Sequence, residues 1–364
     1  MHSLAVLLPI LSLSLPLLVN AVATCNVTTA CPTSAPCCSE FGFCGSTQPF
    51  CLGGCNPLHS NKLDSCSPNP ICKSAVHTFA DNSHVLSNAS LFDGNASAYD
   101  FIVESGNIMN TGGDLAMLLT KENGGTRISS TRYLHYGTVT ARIKTGRWAG
   151  VVTAFITMSN VKDEIDWEFP GNSTTEGQSN YFWQGLVTQP NHGDITKDLT
   201  DTFQNYHDYT IDWQPNTLTF LVDGKVVRTV KKSDLTVDGV TQYPTTPARV
   251  QLSLWPAGTA SSAAGTVQWS GGLINYNDPD YVSAGHFYAL IKSINITCAD
   301  PTPPGADITS YVYGPNSSTN TPAVLLSNTS TNLGGAMGMH GHAGAGLQLL
   351  LVLALAAGAL GQLL

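Results

Sequence analysis

Residues 163–168 read Asp163-Glu164-Ile165-Asp166-Trp167-Glu168, with Phe169 next. Four of these six residues are acidic, in a chain where only 11% of residues are charged. Side chains of an extended strand alternate between its two faces. Glu164, Asp166 and Glu168 therefore share one face, and Ile165, Trp167 and Phe169 share the other. The segment reads as a strand with its apolar face on a core and three carboxylates on its open face. Neighbouring carboxylates repel one another and resist ionisation, so the ladder points to acid–base chemistry rather than to stability.

Two carboxyl groups flanking a sugar–sugar bond are the equipment for glycoside cleavage, and in the retaining reaction they stand about 5–5.5 Å apart. Residues i and i+4 of a strand have Cα atoms roughly 13 Å apart at ~3.3 Å per residue. Two Glu side chains leaning together from a curved strand close most of that gap, and Glu reaches further than Asp. Glu164 and Glu168 are thus the candidate catalytic pair, with the shorter Asp166 between them. Asp166 is placed to hydrogen-bond the nucleophile and to hold negative charge near the acid. A solvated acidic edge, or a cation site with further oxygen ligands from other loops, remains open on the hexad alone.

Around the ladder, short strand-like runs alternate with turn residues: Tyr136–Lys144, Val151–Met158, Glu164–Phe169, Tyr209–Trp213, Leu218–Val222, Lys225–Val230 and Arg249–Leu254. The Asp223-Gly224 pair is a hairpin turn signal. Residues 75–300 are expected to form an all-β sandwich. Phe155 and Trp213 are expected in its core.

The acidic run matches the E-x-D-x-E strand of glycoside hydrolase family 16. Further stretches resemble its fungal Crh group, cell-wall transglycosylases that join chitin to β-glucan. They are Tyr136-Gly137-Thr138-Val139, Asn180-Tyr181-Phe182, His207–Trp213, Phe220-Leu221-Val222-Asp223-Gly224, Trp255 and Trp269-Ser270-Gly271-Gly272. The resemblance covers roughly residues 55–300. It implies a β-jelly-roll with a concave sugar cleft. It also implies Glu164 as nucleophile, Glu168 as acid/base, and sugar platforms at Tyr181, Trp255 and Trp269. A plain β-1,3(4)-glucanase or chitinase-type hydrolase, or a catalytically silent wall lectin, are the alternatives.

Nine of the ten cysteines fall between residues 25 and 72, too densely for so short a segment to fold on a hydrophobic core. The string Cys37-Cys38-Ser39-Glu40-Phe41-Gly42-Phe43-Cys44-Gly45 resembles a hevein-type chitin-binding module. That family grips N-acetylglucosamine with a Ser and three aromatics, which carry over to Ser39, Phe41, Phe43 and Phe50. This chain has Phe where the family more often has Trp or Tyr. The resemblance implies disulfides Cys25–Cys38, Cys31–Cys44 and Cys37–Cys51. The spacing after Cys55 is too long for the family's closing loop; Cys55–Cys66 and Cys72–Cys298 are the expected pairs, a choice that sequence alone leaves open.

The expected order is a signal peptide (1–23), the cysteine module (24–55), the catalytic domain (56–300), a Ser/Thr/Pro-rich stalk (301–328) and a GPI-anchor propeptide (329–364). The first follows from an apolar run ending in Ala21-Val22-Ala23. The last follows from small residues, a polar spacer and an apolar end, with attachment expected at Asn328. N-x-S/T sequons begin at Asn26, Asn88, Asn95, Asn172, Asn295, Asn316 and Asn328. The protein is therefore expected to be secreted, glycosylated and held at the cell surface by lipid. With 16 basic against 25 acidic residues, net −9, a nucleic-acid partner is disfavoured, and neutral chitin and β-glucan are compatible. No His-x-x-x-His pair or phosphate loop occurs, so neither a metal nor a cofactor is expected.

Overall fold

The computed structural model of the chain describes residues 23–316 and 321–333, excluding the side chain of residue 316. The expected signal peptide up to its last residue, residues 317–320, the part of the expected GPI-anchor propeptide after Leu333 and the Asn316 side chain lie outside the described residues.

Two eight-stranded sheets dominate. One runs, edge to edge, Asp194–Thr196, Gly177–Phe182, Glu164–Pro170, Val151–Ser159, Ala248–Pro256, Thr126–Leu134, Phe101–Ser105, Val85–Leu86. In the other, Gly137–Lys144 pairs with His207–Trp213 on one side and with the long strand Phe287–Cys298 on the other. All pairings in the two sheets are antiparallel except that of Val85–Leu86 with Phe101–Ser105. Each strand predicted from the sequence is present, with ends shifted by no more than a few residues.

Alternation explains the core. Phe155, Ile165, Trp167, Phe169 and Leu252 from the first sheet meet Val139, Ala141, Tyr209, Ile211, Phe220 and Ile291 from the second, all fully buried. The Trp167 ring lies 5.7 Å from Tyr209 and 5.5 Å from Phe220, and its indole N–H donates to the Thr210 carbonyl at 3.3 Å. Burying the apolar face of the acidic strand this way fixes its register. A one-residue slip would drive three carboxylates into the core.

Five disulfides are formed: Cys25–Cys38, Cys31–Cys44, Cys37–Cys51, Cys55–Cys66 and Cys72–Cys298. The last ties the entrance of the sandwich to the end of its longest strand, where Ala75–Thr78 also pairs.

Two regions of the expected order carry packing that composition did not suggest. The cysteine module does not stop at Cys55. The Cys55–Cys66 loop folds back on it, with Asn56 N–H donating to Cys38 O at 2.7 Å, Asn61 N–H to Pro36 O at 2.8 Å and Ser67 N–H to Cys51 O at 2.9 Å. Residues 301–328, expected as a Ser/Thr/Pro-rich stalk, hold paired strands. Ser310–Asn316 and Pro322–Ser327 form a hairpin that adds to Asn69–Pro70. It buries Tyr311 with Ile71 and Tyr133, against Val324 and Leu326, and the Tyr311 hydroxyl donates to Asp300. Polar composition masked a few alternating apolar residues that suffice to dock a hairpin. Leu326→Ala should lower stability by about 2 kcal/mol, measured as a lower Tm with earlier proteolysis of this hairpin. An unchanged Tm would mean the hairpin contributes little to the body.

Asn328 is exposed, and the next residues still rest on the body: Leu333 N–H donates to Asp93 O at 2.8 Å. Of the other sequons, Asn26, Asn88, Asn172 and Asn295 are exposed and Asn95 is half-buried.

Candidate active site

Glu164, Asp166 and Glu168 line one groove on the open face of the first sheet. Neighbouring strands place Met158, Ile156 and Ala154 beside them on one side, and Phe182, Asn180 and Gln178 on the other. Arg249, Gln251 and Ser253 follow one strand further. Trp255, Arg127, Ser105 and Ser262 complete the walls. The first acid of the hexad, Asp163, is elsewhere. It is buried beyond the strand, where its carboxylate accepts from Gln184 N–H at 3.0 Å, Thr245 N–H at 2.9 Å and the Thr246 hydroxyl at 2.7 Å. Asp163 clamps loops and belongs to the scaffold.

The three ladder acids are electrostatically distinct. Burial raises Glu164 from its ordinary 4.5 to about 7, with Lys162 pulling it back. Burial raises Glu168 further, to about 8, with the Glu164 charge adding to the rise and a hydrogen bond from Trp255 opposing it. Asp166 is the most enclosed, at 2% exposure. Burial and a Glu on either side push its carboxyl well up, against a pull from Arg228. Burial first, and then the Glu164 and Glu168 charges, oppose the negative charge that Asp166 was expected to supply. Its Oδ2 has no hydrogen-bond partner among the described residues.

The lower of the two outer acids sits beside a cation, and the higher beside that acid's own charge. That order, with the acid beside the cation ionising first, is the one a nucleophile and a proton donor in one groove require. Each raised acid favours the fold at low pH. That stability is fully present below about 4.5 and is lost as pH rises through about 7 and 8. Glu168→Gln should therefore raise Tm at pH 8 and leave it unchanged near pH 4. Scanning calorimetry across that range tests this, and equal Tm values at pH 8 would refute the stored repulsion.

The expected platforms divide. Trp255 and Trp269 are half-buried with stacked rings 6.0 Å apart, and Trp269 Nε1–H donates to Gln178 Oε1 at 2.8 Å, beside Glu168. Phe182, Asn180 and Trp269 also line an adjoining cavity that prolongs the groove. Tyr181 is a correction. It stands opposite Ile165, on the core face, and is buried against His192 with ring centroids 4.3 Å apart. Alternation puts Asn180 and Phe182 on the groove face, and these sequence reading missed. In the cysteine module, Ser39 is buried and its hydroxyl accepts from Phe43 N–H at 3.2 Å. Phe41, Phe43 and Phe50 are each half-buried. Phe50 covers Gly45, where a Cβ would lie 2.3 Å from the ring.

Comparison with known proteins decides the family. Residues 95–271 match the model for glycosyl hydrolases family 16. Crh-like protein 3 of Botryotinia fuckeliana is 43% identical over 314 residues, which are 85% of this chain and 70% of that protein. The chain belongs to glycosyl hydrolase family 16. Within it, the chain groups with the fungal Crh-like proteins. Congo red hypersensitive protein 2 of Saccharomyces cerevisiae is 43% identical over 78% of this chain and 61% of its own length. This family 16 member therefore spans somewhat less than two thirds of the yeast relative. A solved Crh5 transglycosylase in complex with NAG superposes with a TM-score of 0.57 at 30% identity, covering 71% of this chain and 94% of that one. The sandwich is thus the family's jelly-roll, and the chain is an enzyme of glycosidic bonds.

Proposed function

We propose that the protein is a retaining cell-wall transglycosylase that cleaves β-1,4-linked chitin and passes the chain to a β-glucan or chitin acceptor. The observation that carries this reading is a single groove holding three carboxyls of one strand, with the outer two in unlike electrostatic settings. Likeness to the Crh5 transglycosylase and to the Crh-like proteins supports the choice of transfer.

In the proposed cycle, Glu164 attacks the anomeric carbon and forms a covalent glycosyl-enzyme, while Glu168 gives its proton to the departing oxygen. Glu168, now ionised, takes the proton of the incoming hydroxyl as the sugar leaves Glu164. Water as acceptor gives hydrolysis, and a sugar hydroxyl gives a cross-link. The Trp255–Trp269 pair beside Glu168 is a surface on which an acceptor sugar can stack and gain effective concentration. The protein acts at the cell surface, held by the lipid anchor expected after the C-terminal hairpin.

Incubation with fluorescent chitin oligomers, with and without β-glucan oligomers, tests the reading. Longer or mixed labelled products are expected. Shortened products alone would make it a hydrolase, and an unchanged substrate a lectin.

A further inference from the structure

The cysteine module is locked against the wall of the groove, and its lock is a charge cluster. Glu40, between Ser39 and Phe41, buries its carboxylate at 8% exposure in an ion pair with Arg127 and 3.7 Å from Arg249. Arg249 is in turn paired with Glu104. Lys162 Nζ donates to the Glu40 carbonyl at 3.1 Å. The Arg127 guanidinium lies 5.5 Å from the Phe41 ring centre. Gly53 and Gly54 give the approach room. A Cβ at Gly53 would stand 2.9 Å from Arg249, and one at Gly54 2.9 Å from the Glu40 carboxylate. Gly54 also has φ +81°, which other residues seldom adopt.

This lock touches the chemistry at two points. Arg127 lines the groove with the ladder acids, and Lys162 is the cation that acts on Glu164. Three cations, Lys162, Arg127 and Arg249, face two carboxylates, Glu40 and Glu104. One of those two comes from the module.

We propose that Glu40 is a positioning residue for the catalytic groove: through Lys162 and Arg127 it sets the charge beside Glu164, so the module acts on catalysis without touching the scissile bond. The proposal rests on the reading of Glu164 as nucleophile. The groups around Glu164 are Lys162 from the hairpin turn, Asp166 and Glu168 on its own strand, and Arg127 across the groove. Behind them stand Arg249, Glu104 and Glu40. His59, in the module's closing loop, feels Lys162 and is held below its ordinary value by burial and by that charge. Arg228 acts on Asp166 rather than on Glu164. Burial lowers Lys162, and Glu40 and Glu164 hold it up.

The test is the pH profile of kcat/KM on chitin oligomers with a β-glucan oligomer acceptor, in the whole protein. Glu40→Gln keeps the side-chain shape and removes one negative charge from beside three cations. Glu164 then ionises more readily, and the acid limb moves to lower pH by ~0.5 unit or more. Glu40→Asp keeps the charge and should leave the limb at its wild-type position. Lys162→Met severs the link to Glu164 and should move the limb upward. A Glu40→Gln limb that is unmoved or moves upward overturns the proposal, whatever happens to kcat or Tm, because a merely structural residue alters those alone. If Glu40→Gln does not fold, an unmoved limb in Lys162→Met overturns it equally. Activity surviving in Glu164→Gln would instead sink the underlying site reading. An inactive Glu164→Gln beside an unmoved Glu40→Gln profile would sink the module's role alone.

Discussion

Glu164→Gln is expected to abolish transfer and hydrolysis together, lowering kcat by about four orders of magnitude or more. The amide keeps the shape of the carboxyl but cannot form the acylal bond to the anomeric carbon. A loss of 10⁴ corresponds to about 5.5 kcal/mol of transition-state stabilisation. Substrate affinity should change little, because the groove walls from Arg127 to Trp255 are untouched. The fold should not suffer either, since the substitution removes a carboxyl whose ionisation burial already opposes. Product analysis on labelled chitin oligomers, run beside binding of the same oligomers, separates lost chemistry from lost binding. Near-normal turnover in a folded variant would refute the nucleophile assignment.

Glu168→Gln is expected to cost about 10²- to 10⁴-fold on chitin, and the loss should depend on the leaving group. A sugar alkoxide needs the Glu168 proton to depart, whereas a nitrophenolate does not. With a nitrophenyl glycoside the first step therefore survives. The second step then stalls, because the acceptor has lost its base. Glycosyl-enzyme should accumulate on Glu164, visible as a mass increase of the intact protein. Azide, an acceptor with no proton to lose, should restore turnover. An equal loss on both leaving groups, with no trapped intermediate, would mean that Glu168 is not the acid/base. In the unmodified enzyme, kcat/KM should rise as Glu164 ionises about pH 7 and fall as Glu168 ionises about pH 8. Both limbs belong to the coupled acids as a set.

The two assignments were legible to different degrees. Parity alone separates Glu164, Asp166 and Glu168 from Ile165, Trp167 and Phe169, so the ladder needed no structure. Tyr181 was not legible in the same way. Its resemblance to a family motif said nothing of parity, and the partner register, Asn180 opposite Asp166 and Tyr181 opposite Ile165, is set by strand pairing. The C-terminal hairpin was hidden for another reason. Tyr311, Val324 and Leu326 are few among Pro, Ser, Thr and Asn, and their partner Ile71 is far away along the chain. Composition averages such residues away.

Asp163 and Asp166 illustrate the limit for chemistry. Asp163 belongs to the same acidic run, but three loop groups capture it outside the groove. Asp166 was expected to carry charge, and burial between two Glu residues opposes that charge. Side-chain identity does not encode ionisation, which depends on how much water and which charges the fold leaves nearby.

By itself the sequence determined the all-β sandwich, the strand that bears the acids and the face on which they stand. These follow from period-two patterning, which is local. The tertiary structure alone decided which acids share the groove, which aromatics reach it and that Glu40 closes a charge cluster behind Glu164. Those properties arise from distances between segments far apart in the chain. Coulomb interactions and desolvation act through space, and the order of residues does not record them.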